Sequence, residues 1–264
     1  MKAVPKSYLF VPGNRADRIP KAAASGADHI IIDLEDAVGP DEKAHAREHA
    51  ADWFANGGKG VVRINGMDTP WFASDLEAFV SLSNAEIMVP KANIAAIAAV
   101  SAALPGRSLI ALIESVEGLV ELRDLARMVG VVRLAFGNLD FGMDSGISGN
   151  SGNLDIARFE IVVASRYAKL APPIDGVTTA IGDDVTLAAD IERAKGFGFA
   201  GKLCIHPKQV EAVNAGFSPS QSEIDWARKI IDGAASAQGA VFQVDGKMVD
   251  RPVIDRAEKI LAHI

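Results

Sequence analysis

Glu114 and Asp140 each follow a short apolar run, and each offers hard oxygen atoms with no histidine or cysteine cluster beside it. On neighbouring strand ends, two such carboxylates repel unless a proton or cation lies between them. A hard divalent ion suits that donor set, Mg2+ foremost, with water and substrate oxygens completing its octahedron. Two unrelated solvated carboxylates are the plainer alternative. Arg63 closes another apolar run in Val-Val-Arg-Ile-Asn. A guanidinium there can clamp a carboxylate or stabilise a developing enolate; it can also simply neutralise the acids of Asp33-Leu34-Glu35-Asp36. Strand alternation puts Asp33 and Glu35 on one face and Asp36 on the other, unless the strand has already ended. Glu35 and Asp36 read as groups that orient Arg63, a metal-bound water or a proton-transfer group. Asp33 reads as structural. Gly137 and Gly142 would let backbone amides approach a ligand near Asp140. Cys204 reads as a small buried thiol rather than a nucleophile.

These residues fall at the ends of short β-branched or apolar runs separated by segments of helical periodicity. Strands are expected at Tyr8–Val11, His29–Leu34, Gly60–Ile64 and Glu86–Val89, then at Ser108–Ile113, Val131–Phe136, Gly176–Ile181 and Gly201–Ile205. A helix is expected after each, the first at Ala16–Ser25 and the fifth at Glu117–Met128. Eight strand–helix repeats are the count of an α/β TIM (β/α)8 barrel, whose C-terminal rim gathers the strand ends into one site. A doubly wound sheet also alternates this way, but the GxGxxG fingerprint is missing after the first strand. Ser145–Asn153, rich in Gly, Ser and Asn, reads as a flexible loop rather than a lid. Residues 1–217 make the expected barrel domain. Residues 218–264 add a C-terminal helical and hairpin extension: a helix, a hairpin at Ala240–Met248 turned at Asp245-Gly246, and a last helix. This arm is expected to pack on the barrel or on a neighbouring subunit.

The 264 residues carry 27 Lys+Arg against 34 Asp+Glu, a net charge of −7, which argues against a nucleic-acid surface. The single cysteine forbids an internal disulfide and fits a reducing compartment. No apolar stretch is long enough to span a bilayer, and the start lacks a signal-peptide pattern, so a cytoplasmic protein without membrane contact is expected.

Several motifs occur in a fixed order: LFVPGNR (Leu9–Arg15), DLEDAV (Asp33–Val38), RIN (Arg63–Asn65), PK (Pro90-Lys91), IES (Ile113–Ser115), FGNLDFGMD (Phe136–Asp144), GKLCIHPKQV (Gly201–Val210) and DGKMVDRPV (Asp245–Val253). Together they resemble the citrate lyase beta-subunit and malyl-CoA lyase family nearly end to end. The resemblance implies a TIM barrel in homotrimers or multiples of them. It also implies Mg2+-dependent cleavage or formation of a carbon–carbon bond in a hydroxy-carboxyacyl thioester, such as citryl-, malyl- or citramalyl-CoA. By matching motif it makes Glu114 and Asp140 the metal ligands and Arg63 the clamp for the keto acid or enolate. The backbone at Gly137, Asn138 and Leu139 would help hold the acid, and Asp250 would reach a neighbouring subunit's site. Glu35 and Asp36 would stand behind Arg63. Arg15 and Lys43 lie in a basic edge suited to the phosphates of coenzyme A or of an acyl-carrier protein. Two alternatives remain. One is a metal-dependent aldolase on free hydroxy-keto acids, whose relatives resemble DGEH where this chain has Asp36; the other is a non-catalytic subunit that binds keto acid or coenzyme A.

Overall fold

A computed structural model describes residues 4–148, 151–237 and 241–262. Of the expected elements, Gly149 and Asn150 of the glycine-rich loop and Ala240 of the hairpin lie outside the described residues. The chain folds as two compact units, Val4–Ala215 and Gly216–Ile264.

In the first unit, seven parallel strands run β1 (Ser7–Pro12), β2 (His29–Asp33), β3 (Gly60–Arg63), β4 (Ala85–Val89), β5 (Leu109–Ile113), β6 (Val131–Phe136) and β7 (Lys202–Cys204). They pair in the order β6-β5-β4-β3-β2-β1-β7. Near-continuous apolar strands such as Leu-Ile-Ala-Leu-Ile suit burial on both faces, as a parallel barrel requires. The interior takes a side chain from every stave, among them Tyr8, Ile31, Val61, Met88, Ile110, Ala135, Ile174 and Leu203.

The expected seventh strand at Gly176–Ile181 does not form. Ile174 and Asp175 take its place, bridging Ala135 of β6 and Lys202 of β7 and closing the ring. Phe136 N–H donates to Ile174 O at 2.9 Å, and Leu203 N–H donates to Asp175 O at 2.9 Å. The ladder is short for local reasons. Pro172 and Pro173 have no N–H to offer before it, and the N–H and C=O of Val177 after it are both taken by the Asn138 side chain, at 2.8 and 3.2 Å. An ion triad supports this narrow stave from outside: Asp175 meets Arg158 at 2.9 Å and Lys202 at 3.3 Å, all three buried.

The expected first helix shortens to Ile19–Ala23, and the expected fifth divides into Val116–Val120 and Leu122–Leu125. Ser151–Leu154 forms a single 3-10 turn within the expected loop. In the second unit, helices Gln221–Ala237 and Arg251–Leu261 flank β8 (Phe242–Val244) and β9 (Lys247–Val249). Asp245 and Gly246 between those strands both have positive φ, 49° and 74°, as a type I′ hairpin turn needs. Ala227, Ile230, Val249 and Ala257 form this unit's core. No helix among the described residues is long and apolar enough to cross a membrane.

Candidate active site

Register brings the acidic motif to Arg63. Asp33 ends β2 and Arg63 ends β3, and the two stand directly opposite each other in the ladder. Arg63 Nε and Nη2 each donate to one oxygen of Asp33 at 2.7 Å, a two-pronged pair. The strand then ends, so Glu35 and Asp36 do not alternate away. Arg63 Nη1 lies 3.0 Å from Glu35 Oε2 and 3.2 Å from Asp36 Oδ2. Asp33 also accepts the backbone N–H groups of Glu35 and Ala37, at 3.0 and 3.1 Å, and so winds the loop around the guanidinium. Burial by itself would lower the Arg63 pKa, but Asp33 beside it carries it upward. The Glu35 carboxyl is pushed up to about 8, by burial first, against the pull of Arg63. Phe10 backs the guanidinium, with its ring centroid 5.0 Å away.

The carboxylate pair is built on the next staves. Ile113 and Phe136 stand opposite each other in the ladder, which sets Glu114 level with Gly137. A Cβ on residue 137 would lie 2.5 Å from Glu114 Cβ and 2.6 Å from its Oε2, so glycine is what lets Glu114 occupy this place. Glu114 is 3% exposed and accepts one hydrogen bond, from the Lys91 N–H at 2.7 Å. Lys91 holds that N–H in position with φ at +43°, a backbone strain of the kind tolerated at functional sites. Burial pushes the Glu114 carboxyl up to about 7, and Asp140 and Asp36 add to the rise. Asp140, exposed in the first turn of helix Asn138–Ser145, is also raised, by desolvation and then by Asp36.

Arg63, Asp33, Asp36, Glu114, Asn138 and Asp140 line one cavity of about 400 Å3, together with Gly137 and Leu139. A buried carboxylate with a raised pKa, next to a second carboxylate, calls for a proton or a hard cation. Among the described residues no three His, Cys, Asp or Glu side chains are grouped to hold a metal. The pair therefore fits an ion that takes few protein ligands and fills its remaining positions with water and substrate oxygens, as Mg2+ does.

Other expected site residues lie elsewhere. Lys43 is buried and donates to the carbonyls of Leu34 and Glu35, at 2.7 Å each, with its ammonium 5.0 Å from the Trp71 ring centroid. It props the acidic loop from beneath and does not face outward from a basic edge. Arg15 is exposed and paired with Asp17 at 3.1 Å. Asp250 belongs to the second unit, where it caps helix Arg251–Leu261 by accepting the Val253 N–H at 3.3 Å. Asn138 is committed to Val177. Sequence reasoning counted Asp33 among the acids that Arg63 could neutralise without singling it out, and it missed the Lys91 amide. The level pairing of two strand ends was the available signal for Asp33.

The chain matches the family model described as HpcH/HpaI aldolase/citrate lyase over residues 6–207, and that of a C-C bond lyase of the TIM-barrel fold over residues 159–263. A citrate lyase subunit beta-like protein of Deinococcus radiodurans is 36% identical, covering 99% of this chain and 98% of its own. A (3S)-malyl-CoA thioesterase of Cereibacter sphaeroides is 35% identical over 97% and 93%. Among solved structures, CitE of Mycobacterium tuberculosis in complex with magnesium, acetoacetate and coenzyme A superimposes with a TM-score of 0.87 at 32% identity, covering 99% of this chain and 98% of that one.

Proposed function

Because the chain belongs to the HpcH/HpaI aldolase/citrate lyase family, we propose that it is a Mg2+-dependent carbon–carbon lyase. It cleaves or forms a 3-hydroxy-3-carboxyacyl thioester of coenzyme A, releasing a 2-keto acid and an acyl thioester. The observation that carries this reading is Glu114: a buried carboxylate, held up to about 7, that shares a cavity with Asp140 and Arg63.

Bound between Glu114 and Asp140, Mg2+ would supply Lewis acidity toward the hydroxyl and carboxylate oxygens of the substrate. The reaction is a retro-Claisen cleavage. The hydroxyl loses its proton, the bond from its carbon to the thioester α-carbon breaks, and the electron pair becomes a thioester enolate that takes up a proton. Arg63, held rigid by Asp33, places positive charge where negative charge develops, with no reorganisation needed at the moment of reaction. Glu35 and Asp36 fix the third side of the guanidinium. The backbone at Gly137, Asn138 and Leu139 borders the cavity and suits the acid's carboxylate. The order of the DGKMVDRPV motif supports Asp250 as the group that returns a proton to the α-carbon, delivered from a neighbouring copy in a homotrimer or a multiple of one. In that assembly residues 218–264 serve as the arm. The exposed Arg15 would meet the phosphates of coenzyme A, or of an acyl-carrier protein bearing the same pantetheine. The single buried Cys204 fits a cytoplasmic setting.

The test is a panel of citryl-, malyl- and citramalyl-CoA with purified protein, Mg2+ or EDTA, read for keto acid, acyl-CoA and free coenzyme A. Mg2+-dependent keto acid plus acyl-CoA is expected. Free coenzyme A without keto acid would make the protein a thioesterase, and turnover of free aldols alone would make it an aldolase.

A further inference from the structure

The seam between the seventh stave and β7 opens at the rim. Below the rim the rungs run in order: Asp175 N–H donates to Gly201 O at 2.8 Å, and Leu203 N–H donates to Asp175 O at 2.9 Å. A parallel ladder continued upward would next pair Val177 N–H with Leu203 O and Ile205 N–H with Val177 O. Both donors turn elsewhere. Val177 N–H donates to Asn138 Oδ1 at 2.8 Å, and Ile205 N–H donates to Gln209 Oε1 at 2.9 Å. The other end of each carboxamide returns to the stave: Asn138 Nδ2 donates to Val177 O at 3.2 Å, and Gln209 Nε2 donates to Thr178 O at 2.8 Å. Two side-chain amides therefore stand where ladder bonds would, and together they hold the backbone of residues 177 and 178. Gly176 makes room for the first of them, because a Cβ there would overlap the Asn138 amide oxygen. Thr178, which the second grips, is buried, and its hydroxyl donates to Asp190 at 2.6 Å.

We infer that Gln209 is a positioning residue for the metal site proposed above, on which the inference rests. Val177, Ile205 and Asn138 line the cavity; Gln209, 2% exposed, does not. By holding Thr178 and Ile205 it keeps Val177 within reach of Asn138. Asn138 is the first residue of helix Asn138–Ser145, which carries Asp140 in its first turn, so the clasp on Val177 sets where that carboxylate stands. Without the Gln209 amide, Ile205 N–H is free to take Val177 O, and the ladder closes by one rung. Val177 is then drawn toward β7, and the Asn138 clasp loosens together with the turn behind it.

Titration calorimetry of the intact protein with Mg2+ tests this without needing turnover. The variants are Gln209→Met, Asn138→Ala and the two combined, with Phe79→Leu as a control. Phe79 is fully buried on helix Phe72–Phe79 and outside the cavity lining, so its truncation lowers the Tm without touching either clasp. Each clasp variant is expected to bind Mg2+ about tenfold more weakly. Both act through Val177, so the combined variant should bind no more weakly than the worse single one. Gln209→Glu keeps an acceptor for Ile205 N–H and loses only the donor; it should lose less, and it serves if Gln209→Met does not fold. Wild-type affinity in the Gln209 variants, or losses that multiply in the combined variant, would overturn the inference while leaving the metal site in place. An equal loss in the control would overturn it too, since affinity would then follow stability alone. A wild-type protein that binds no Mg2+ would remove the lyase reading, and the inference with it.

Discussion

Asp33 and Arg63 meet through two parallel hydrogen bonds of 2.7 Å at the paired ends of β2 and β3. Both side chains are almost fully buried, so the pair is charge-assisted, shielded from solvent and fixed in direction. The same carboxylate winds the acidic loop that brings Glu35 and Asp36 to the guanidinium. One aspartate therefore sets the orientation of the cation that the proposed chemistry needs.

Asp33→Asn keeps the shape but removes the charge from that pair. Breaking a buried ion pair on one side costs about 3 kcal/mol or more, and misdirecting a catalytic cation costs on the order of 100-fold in rate. Denaturant melts and kcat on the best thioester measure the two effects. A variant with wild-type kcat would show that Asp33 does not position Arg63.

Gly137→Ala places a methyl group against Glu114 Cβ and Oε2. Displacement of that carboxylate is expected to weaken Mg2+ binding about tenfold or more, as read by titration calorimetry. Because the clash is local, circular dichroism should remain unchanged. Unaltered Mg2+ affinity would rule Glu114 out as a ligand.

On the proposed reading Mg2+ is held by the Glu114 carboxylate, whose pKa burial raises to about 7 in the metal-free protein. Affinity should therefore rise about tenfold between pH 6 and pH 8, with nearly a whole proton released on binding at pH 6 and almost none at pH 8. The sign for stability is opposite in the absence of metal. A carboxyl whose folded pKa exceeds its unfolded one binds its proton more tightly when folded. Its contribution is present in full below the unfolded pKa of 4.5 and fades as pH rises through about 7. Added Mg2+ should accordingly raise the Tm more at pH 8 than at pH 6; equal shifts would contradict the assignment.

Lys43→Met leaves the buried carbonyl of Leu34 without its donor and that of Glu35 with the Val38 N–H alone. A loss of about 2 kcal/mol is expected from such lost bonds, together with a fall in kcat as the acidic loop loosens. If Lys43 instead held a phosphate of coenzyme A, KM for the thioester would rise with kcat unchanged. Steady-state kinetics separates the two.

The alternation of apolar runs with helical stretches was enough to read a barrel, because parallel strands need helices to return the chain. It was also enough to place Arg63, Glu114 and Asp140 at one rim, since every strand of such a barrel ends on the same side. The seventh stave was not legible: its ladder is two residues long, and it ends where Asn138, 39 residues earlier, captures Val177. Asp33 looked structural because its partner is set by register between strands, which no local pattern encodes. Lys43 looked like surface charge because a lysine's direction depends on what packs above it, here the carbonyls of a loop folded back over it. Residue chemistry and periodicity travel along the chain and can be read there. Which atoms touch across it is decided only when the ring of strands closes.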